Sequence, residues 1–542
     1  MALSTLRGRA VHIVWAALLA ACAQVAELSG GPKDEAPPVL VRSSPQQGAT
    51  GYKGTLIVLE FDERIQPDRA RERLLVSPPL EKAPDVRLLN ARTLAIDLTA
   101  PLQEDRTYTF GIGEAVKDLT EGNHALGVDL VFSTGERVDS LSIWGKVRDA
   151  FTGEPRKDVL VLAYATDSAI AFLTGRPGYA TRSAPDGSFA LRHLQEGNYL
   201  VRALLDLNAN YRYDLPSESI AFQGDAVQAS RPDSTQRAIE LLLFREEEAQ
   251  QRITDQRVKA DGQWMLAFAR EVGELLLQDI ARPGDTLRWV ADWNARRDTV
   301  ELWPQDTTAL RAGAYRIVGD GVALDTLAYR PLVRMPTHTG LALDKEDGPE
   351  WLLRSTRPVR AVERDRFLLR VDSSERSIPV VVDASDPRLL RLGDLPPEGT
   401  RSMLTVLPAG VRDLFGGTND TVRITLHRSA TKELGTLRIR LPMDTGAQGM
   451  RVLQLLDGAG RLIREARADG AEQEVAWERI APASCTLRVI ADRNANGRWD
   501  PGDLAEGRQP ERVYTYDKPI QVRAAWDLRV DMPPLPAGAG SP

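Results

Sequence analysis

Apolar residues in this chain come in short runs. From Pro38 onward they recur between clusters of Gly, Pro, Asn and Asp, as in Thr55–Phe61, Thr93–Leu98 and Tyr108–Ile112. A short run bounded by turn residues is the mark of a strand, whereas a helix needs a 3.6-residue stripe sustained over several turns. Such stripes are scarce: Gln66–Leu75 has room for a turn or two, and the charged stretch Glu246–Asp255 is expected to be a short linker helix. The fold class that follows is all-β. At 542 residues, and with sandwich domains of about 100 residues each, the chain is expected to hold five β-sandwiches in an elongated row.

Composition supports folding and excludes several functions. Hydrophobic content of 42% and charged content of 27% are ordinary globular values, unlike those of a disordered chain, a collagen or a polytopic membrane protein. Sixty-nine Lys and Arg stand against 76 Asp and Glu, and the basic residues are scattered, so no footprint for nucleic acid exists. Two cysteines, Cys22 and Cys485, make no disulfide framework, and five dispersed histidines leave little for a metalloenzyme.

The N-terminus reads as an address. Arg7 and Arg9 precede the apolar run Ala10–Ala21, the pattern of a secretory signal at 1–21 that is too short to stay as a membrane span. Leu19-Ala20-Ala21-Cys22 then resembles a bacterial lipobox, in which the Cys22 thiol takes a diacylglyceryl group; the plain alternative is a signal-peptidase site beside an incidental cysteine. Each buried methylene contributes about 0.8 kcal/mol, so several acyl chains would anchor the protein stably. No Asp follows Cys22, which favours the outer membrane; the periplasmic and external faces are both compatible with the sequence. Residues 22–37, rich in Gly and Pro, are expected to be a flexible tether.

Two pairs of segments echo each other. Tyr108–Ile112, Val116-Lys-Asp118, Gly122-Asn123 and Val128–Thr134 return as Met403–Leu407, Val411-Arg-Asp413, Gly417 to Asn419 and Val422–Leu426. Each reads as a strand, an Asp-led turn with Gly and Asn, and a closing strand. Separately, Ile143–Val147 opens a run through Pro185–Phe189 and Gly197–Tyr199 to Leu205, and Leu437–Leu441 opens one that ends in Leu487–Ala491.

With Pro37-Pro38, Ser44-Pro45, Gly48, Leu59–Glu63, Val116–Asp118 and Phe132–Thr134, the first segment resembles the Ig-like domain of bacterial S-layer proteins, and more closely the first domain of a group of Bacteroidota surface lipoproteins. The second pair resembles prealbumin-like modules of the carboxypeptidase regulatory type, whose usual work is structural or adhesive. The resemblance implies an Ig-like domain at 38–137, a prealbumin-like sandwich at 138–245, a second Ig-like domain at 346–430 and a second prealbumin-like sandwich at 433–533. A further sandwich is expected at 256–345 from strand alternation alone, and a disordered tail at 534–542.

Each prealbumin-like segment ends in Asp-x-Asn-x-Asn: Asp206, Asn208 and Asn210, followed by Asp214; and Asp492, Asn494, Asn496 and Gly497, followed by Arg498, Asp500 and Asp503. Oxygens at loop positions 1, 3, 5, 9 and 12, the position-7 carbonyl and Gly at 6 suit a structural calcium ion. The second copy has every position, with the Arg498 carbonyl as the seventh, while the first has Tyr211 for Gly and Ser217 at 12. The competing reading is a tight turn between strands, since turns favour Asn and Gly. Trp289, Trp293 and Trp303 read as core or interdomain packing, with a glycan-stacking platform as the alternative.

Hydrolase, zincin, phosphate-loop and Cys-x-x-Cys motifs do not occur in the sequence. The expected protein is therefore a non-catalytic structural, adhesive or scaffolding lipoprotein of the outer membrane. Its partners are the membrane and, in the competing readings, an outer-membrane β-barrel complex it serves as accessory subunit, or a glycan it binds or processes. Cys22→Ser is expected to move the protein from the membrane fraction to the soluble one and to abolish incorporation of labelled palmitate. Unchanged labelling would remove the anchor.

Overall fold

The computed structural model describes residues 35–165, 176–231, 238–259, 263–284, 288–294, 296–306, 310–330, 337–345, 351–442, 450–469 and 474–533. Cys22, the signal segment and the 534–542 tail lie outside the described residues. Alternation sets each core. In Leu56–Phe61 the side chains of Ile57, Leu59 and Phe61 point inward and are buried, and they meet Leu94, Ile96, Phe110 and Phe132. Burying one such side chain contributes about 1.5–3 kcal/mol. Five separate clusters of this kind give five β-sandwiches in tandem. Among the described residues helix is confined to single turns such as Ala70–Arg73, and Glu246–Asp255, where a linker helix was expected, is irregular with a bend before entering a strand at Ile253.

Three of the five share one strand order. In the third module, the described strands between Ile253 and Tyr329 form one sheet from the first, second, fifth and fourth, and another from the third, sixth and seventh. That is the arrangement of constant-type immunoglobulin domains. At its centre Trp264 is fully buried against Tyr315, ring centroids 5.2 Å apart. The Tyr315 hydroxyl donates to the Arg311 carbonyl at 2.8 Å and accepts the Arg311 amide at 3.1 Å, a tyrosine corner. The first and fourth modules repeat the order once a short pair is set aside in each, Ile65–Pro67 with Val116–Asp118 and Val359–Val362 with Val411–Asp413; the fourth adds an edge strand, Ser374–Ser377. The boundary expected at 345/346 lies earlier, because Leu341–Lys345 pairs with Trp351–Ser355 inside the fourth module.

The second and fifth modules share a different order. In both, the opening strand pairs in parallel with the closing one, Leu141–Asp149 with Ile239–Leu243 and Gly435–Arg440 with Asp527–Asp531. A Cβ at Gly145 would collide with the Ile239 carbonyl, so this approach admits only glycine. Within the second sheet of module two, Leu160 to Tyr164 are all buried. Val161 and Ala163 enter the module's own core, while Leu160, Leu162 and Tyr164 join Ile220, Phe222 and Phe244 on the outer face. That outer face is covered by Trp499 and Leu504 from the fifth module and Leu75 from the first.

Polar contacts pin the same junctions. Gln509 donates to the Phe222 carbonyl at 2.9 Å, and Arg512 pairs with Glu240 at 3.1 Å. Thr107 bonds Asp139 at 2.9 Å between modules one and two, Arg388 spans Asp292 and Glu301 between three and four, and Arg479 meets Glu398 at 2.9 Å between four and five. Modules two to five therefore form a closed circuit within the tandem row.

The repeated Asp-led turns share one design. Asp118, buried, accepts the backbone amides of Thr120, Glu121, Gly122 and Asn123 at 2.6–2.9 Å. Burial pushes its pKa up, but those amide bonds outweigh it and hold the carboxyl below its ordinary value. Asp413 accepts from Phe415 and Gly417 and adds a buried pair with Arg357 at 2.7 Å. Asp413→Ala is expected to destabilise the fourth module by about 3–5 kcal/mol, because a buried guanidinium loses its partner; denaturant titration checks it. For Asp118 the folded pKa is depressed, so its stabilisation is present above the unfolded value of about 4 and fades as pH falls below it. Asp118→Asn should flatten that acid loss in a pH series of melting temperatures.

Candidate functional site

The loops after Asn198–Leu205 and Ala483–Asp492 adopt one conformation twice. Asp206 accepts the amides of Asn210 and Tyr211 at 3.3 and 2.8 Å, and Asp492 accepts those of Asn496 and Gly497 at 3.2 and 2.7 Å. Asn208 and Asn210 donate to Asp214, as Asn494 and Asn496 donate to Asp500. Position 6 is left-handed in both, φ 81° at Gly497 and 62° at Tyr211. For a non-glycine residue that costs about 1–2 kcal/mol, which the packing of Tyr211 on the outer face of module two offsets. The structure thus brings positions 1, 3, 5 and 9 together in each loop.

Position 12 is different from expectation. Asp503 turns away to cap the amide of Glu506 at 2.9 Å and forms a two-way backbone bridge with Arg508. Glu511 takes the place assigned to it: buried, it accepts the amides of Arg493 at 2.7 Å and Asp500 at 3.0 Å. The first loop carries the same device one residue past Ser217, where buried Glu218 accepts the amides of Leu207 and Asp214, each at 3.1 Å. Ser217 at position 12 therefore does not deprive the first loop of its closing carboxylate, which Glu218 supplies. Sequence reading missed both glutamates because their spacing from the leading Asp differs. The shared signal was a Glu just after Pro216 or Pro510 and just ahead of the next strand.

Burial, with Asp500 and Asp492 nearby, pushes the Glu511 carboxyl above its ordinary value. Among the described residues no three His, Cys, Asp or Glu side chains gather into a metal-holding group, so a cage here depends on amide and backbone oxygens as well. The Arg498 side chain reaches Asp500 at 3.3 Å and pairs with Glu271 of module three.

Both loops are also docking elements. Position 8 is aromatic in each, Tyr213 and Trp499, and both rings lie on the outer face of module two. Trp499 meets Phe151 edge-on at 5.3 Å and donates to the Glu511 carbonyl at 2.8 Å. Glu246 accepts from the Tyr213 hydroxyl and from the Leu504 amide, so one carboxylate serves both loops.

Trp303 corrects the glycan alternative. It is fully buried, with the Arg388 guanidinium 4.8 Å from its ring centre at the junction with module four, and offers no face to a sugar. Trp289 and Trp293 are half-buried against Trp264 and Phe268, with Arg297 over Trp293 at 4.9 Å. Cys485 is buried in the core of module five, where burial pushes its thiol up and away from reactivity.

Residues 34–134 match the model of a bacterial Ig-like domain, which covers the first module. No curated protein matches the chain. Among solved structures, the TIE protein of Bacillus anthracis is similar at 11% identity over 97% of this chain and 78% of that one, with a TM-score of 0.15. The major pilin subunit BcpA of Bacillus cereus is similar at 10% identity over 72% and 98%, TM-score 0.14, and an S-layer protein, rSbsC, at 11% over 89% and 67%, TM-score 0.14. Superpositions this loose establish neither fold nor function; the architecture rests on the strand pairing itself.

Glu511→Ala strands two buried amides, each worth about 1–3 kcal/mol, and should lower the melting temperature of the fifth module clearly. Asp503→Ala should cost about 0.5 kcal/mol or less. Equal losses in calorimetry would reverse the assignment of position 12.

Proposed function

We propose that this chain is a non-catalytic surface scaffold, an outer-membrane lipoprotein anchored through acyl chains on Cys22, that holds binding surfaces at fixed positions away from the bilayer. The observation that carries the reading is the second module's sheet, apolar on both faces and covered on its outer side by the first and last modules. Domain junctions within a chain are by default mobile unless large and apolar, and this one is apolar at its centre and fenced by polar bonds. A rigid assembly of small sandwiches suits presentation and load, with variable loops free for contact. The bacterial Ig-like match over residues 34–134 supports the surface assignment.

The same reading gives the twin loops a supporting ion. Asp492, Asp500 and Glu511 are buried, and burial together with the first two raises the Glu511 carboxyl. They do not by themselves form a metal-holding group, so a calcium ion would need the oxygens of Asn494 and Asn496 and the backbone as well, and would offset their repulsion and brace the loop that docks module five. With amides at positions 3 and 5, affinity falls in the range of extracellular modules, roughly 10⁻⁴ to 10⁻³ M. Calorimetric titration of the full chain with millimolar calcium should show uptake and a raised melting temperature; a heatless titration removes the ion.

Small-angle scattering tests the scaffold. The wild type should scatter as one rigid body and Trp499→Asp as a more extended, flexible one. A wild type that behaves as independently tumbling modules, or that turns over a substrate at ordinary enzymic speed, overturns the proposal.

A further inference from the structure

Between the first and second modules lies a cleft of about 340 Å³. Its floor is apolar: Leu74 and Val76 are buried beneath it, and Leu80 and a proline-rich wall close its sides. The opposite wall is the first Asp-x-Asn-x-Asn loop, at Tyr211. Around the rim stand the exposed residues Arg71, Arg176 and Arg212, and Glu81 is the one acidic residue among those that line the cleft.

The charge balance here runs against that of the molecule. The chain carries a net −7, and its arginines are mostly held in ion pairs or bonded to carbonyls, as at Arg73 with Asp68, Arg156 with Asp149 and Arg252 with Glu248. Among the described residues, the side chains of Arg71, Arg176 and Arg212 have no such partner. Three free guanidiniums over one apolar trough are complementary to carboxylates that flank an apolar group, since arginine binds a carboxylate through two parallel bonds. Clefts of this size at domain junctions are common ligand sites.

We propose that this cleft docks an acidic peptide segment, with an apolar side chain in the trough and carboxylates on the three arginines. An anionic polysaccharide would satisfy the rim and leave the floor empty, so the apolar floor favours a peptide. The site is independent of the tryptophans, shares one wall with the first Asp-x-Asn-x-Asn loop, and gives the scaffold a contact surface of defined chemistry.

The test is fluorescence anisotropy on the full chain with a labelled alternating Asp-Leu hexapeptide. Three control probes accompany it: the Ser-Leu analogue, a Glu-only hexapeptide and an alginate oligosaccharide. The Asp-Leu peptide should bind with an affinity that falls as salt rises, and at least about tenfold more tightly than any control. Replacing Arg71, Arg176 and Arg212 together by Glu should weaken it at least about tenfold and leave the melting temperature unchanged. Hydrogen exchange on the wild type gives a reading free of variants: the peptide should slow exchange across residues 79–84 and 209–212. Absent binding, equal or tighter binding of alginate, an affinity unmoved by the triple substitution, or protection elsewhere overturns the proposal.

Discussion

The second module's central strand decides how the whole chain is arranged. A sheet that faces water on one side alternates apolar and polar residues, and Leu160 to Tyr164 do not alternate. Left open, the face formed by Leu160, Leu162, Tyr164, Ile220, Phe222 and Phe244 would be an apolar patch of the kind that soluble proteins seldom expose. Covering it recruits Trp499 and Leu504 from the far end of the chain. The other junctions, built from arginine pairs such as Arg388 with Asp292 and Glu301, are more polar and follow from where that cover places the last module.

Much of this architecture could be read in the residues. Alternation in Leu56–Phe61 marks a half-buried strand, and the distant echo of Asp118 in Asp413 becomes the same buried, amide-saturated turn in two modules of one strand order. The third module had no such echo. Its kinship with the first and fourth lies in strand order, and its one local sign was Tyr315 four residues after Arg311, a hydroxyl returning to the backbone. The continuous run at Leu160 also signalled a second buried face, but a run does not name its cover.

The loops show where spacing misleads. A fixed register placed Asp503 at the twelfth position, yet the fold asked only that some carboxylate reach the amides of residues two and nine. Glu511 and Glu218 do so from different distances along the chain, because the intervening segments differ in length while the strands they enter are equivalent. Chemistry was conserved between the two modules through geometry, and the count of residues was free to drift. Trp303 carries a related lesson: an aromatic residue in an alternating strand gives no indication that an arginine from the next module will seal it.

One carboxylate, Glu246, takes hydrogen bonds from Tyr213 and from the amide of Leu504. Synthesis delivers Tyr213 long before Leu504 exists. For that interval the second sandwich is complete in itself but has a flank covered only in part, by Leu75 of the first module, until Trp499 and Leu504 arrive. A chain cut short of Trp499 and Leu504 would keep that flank open.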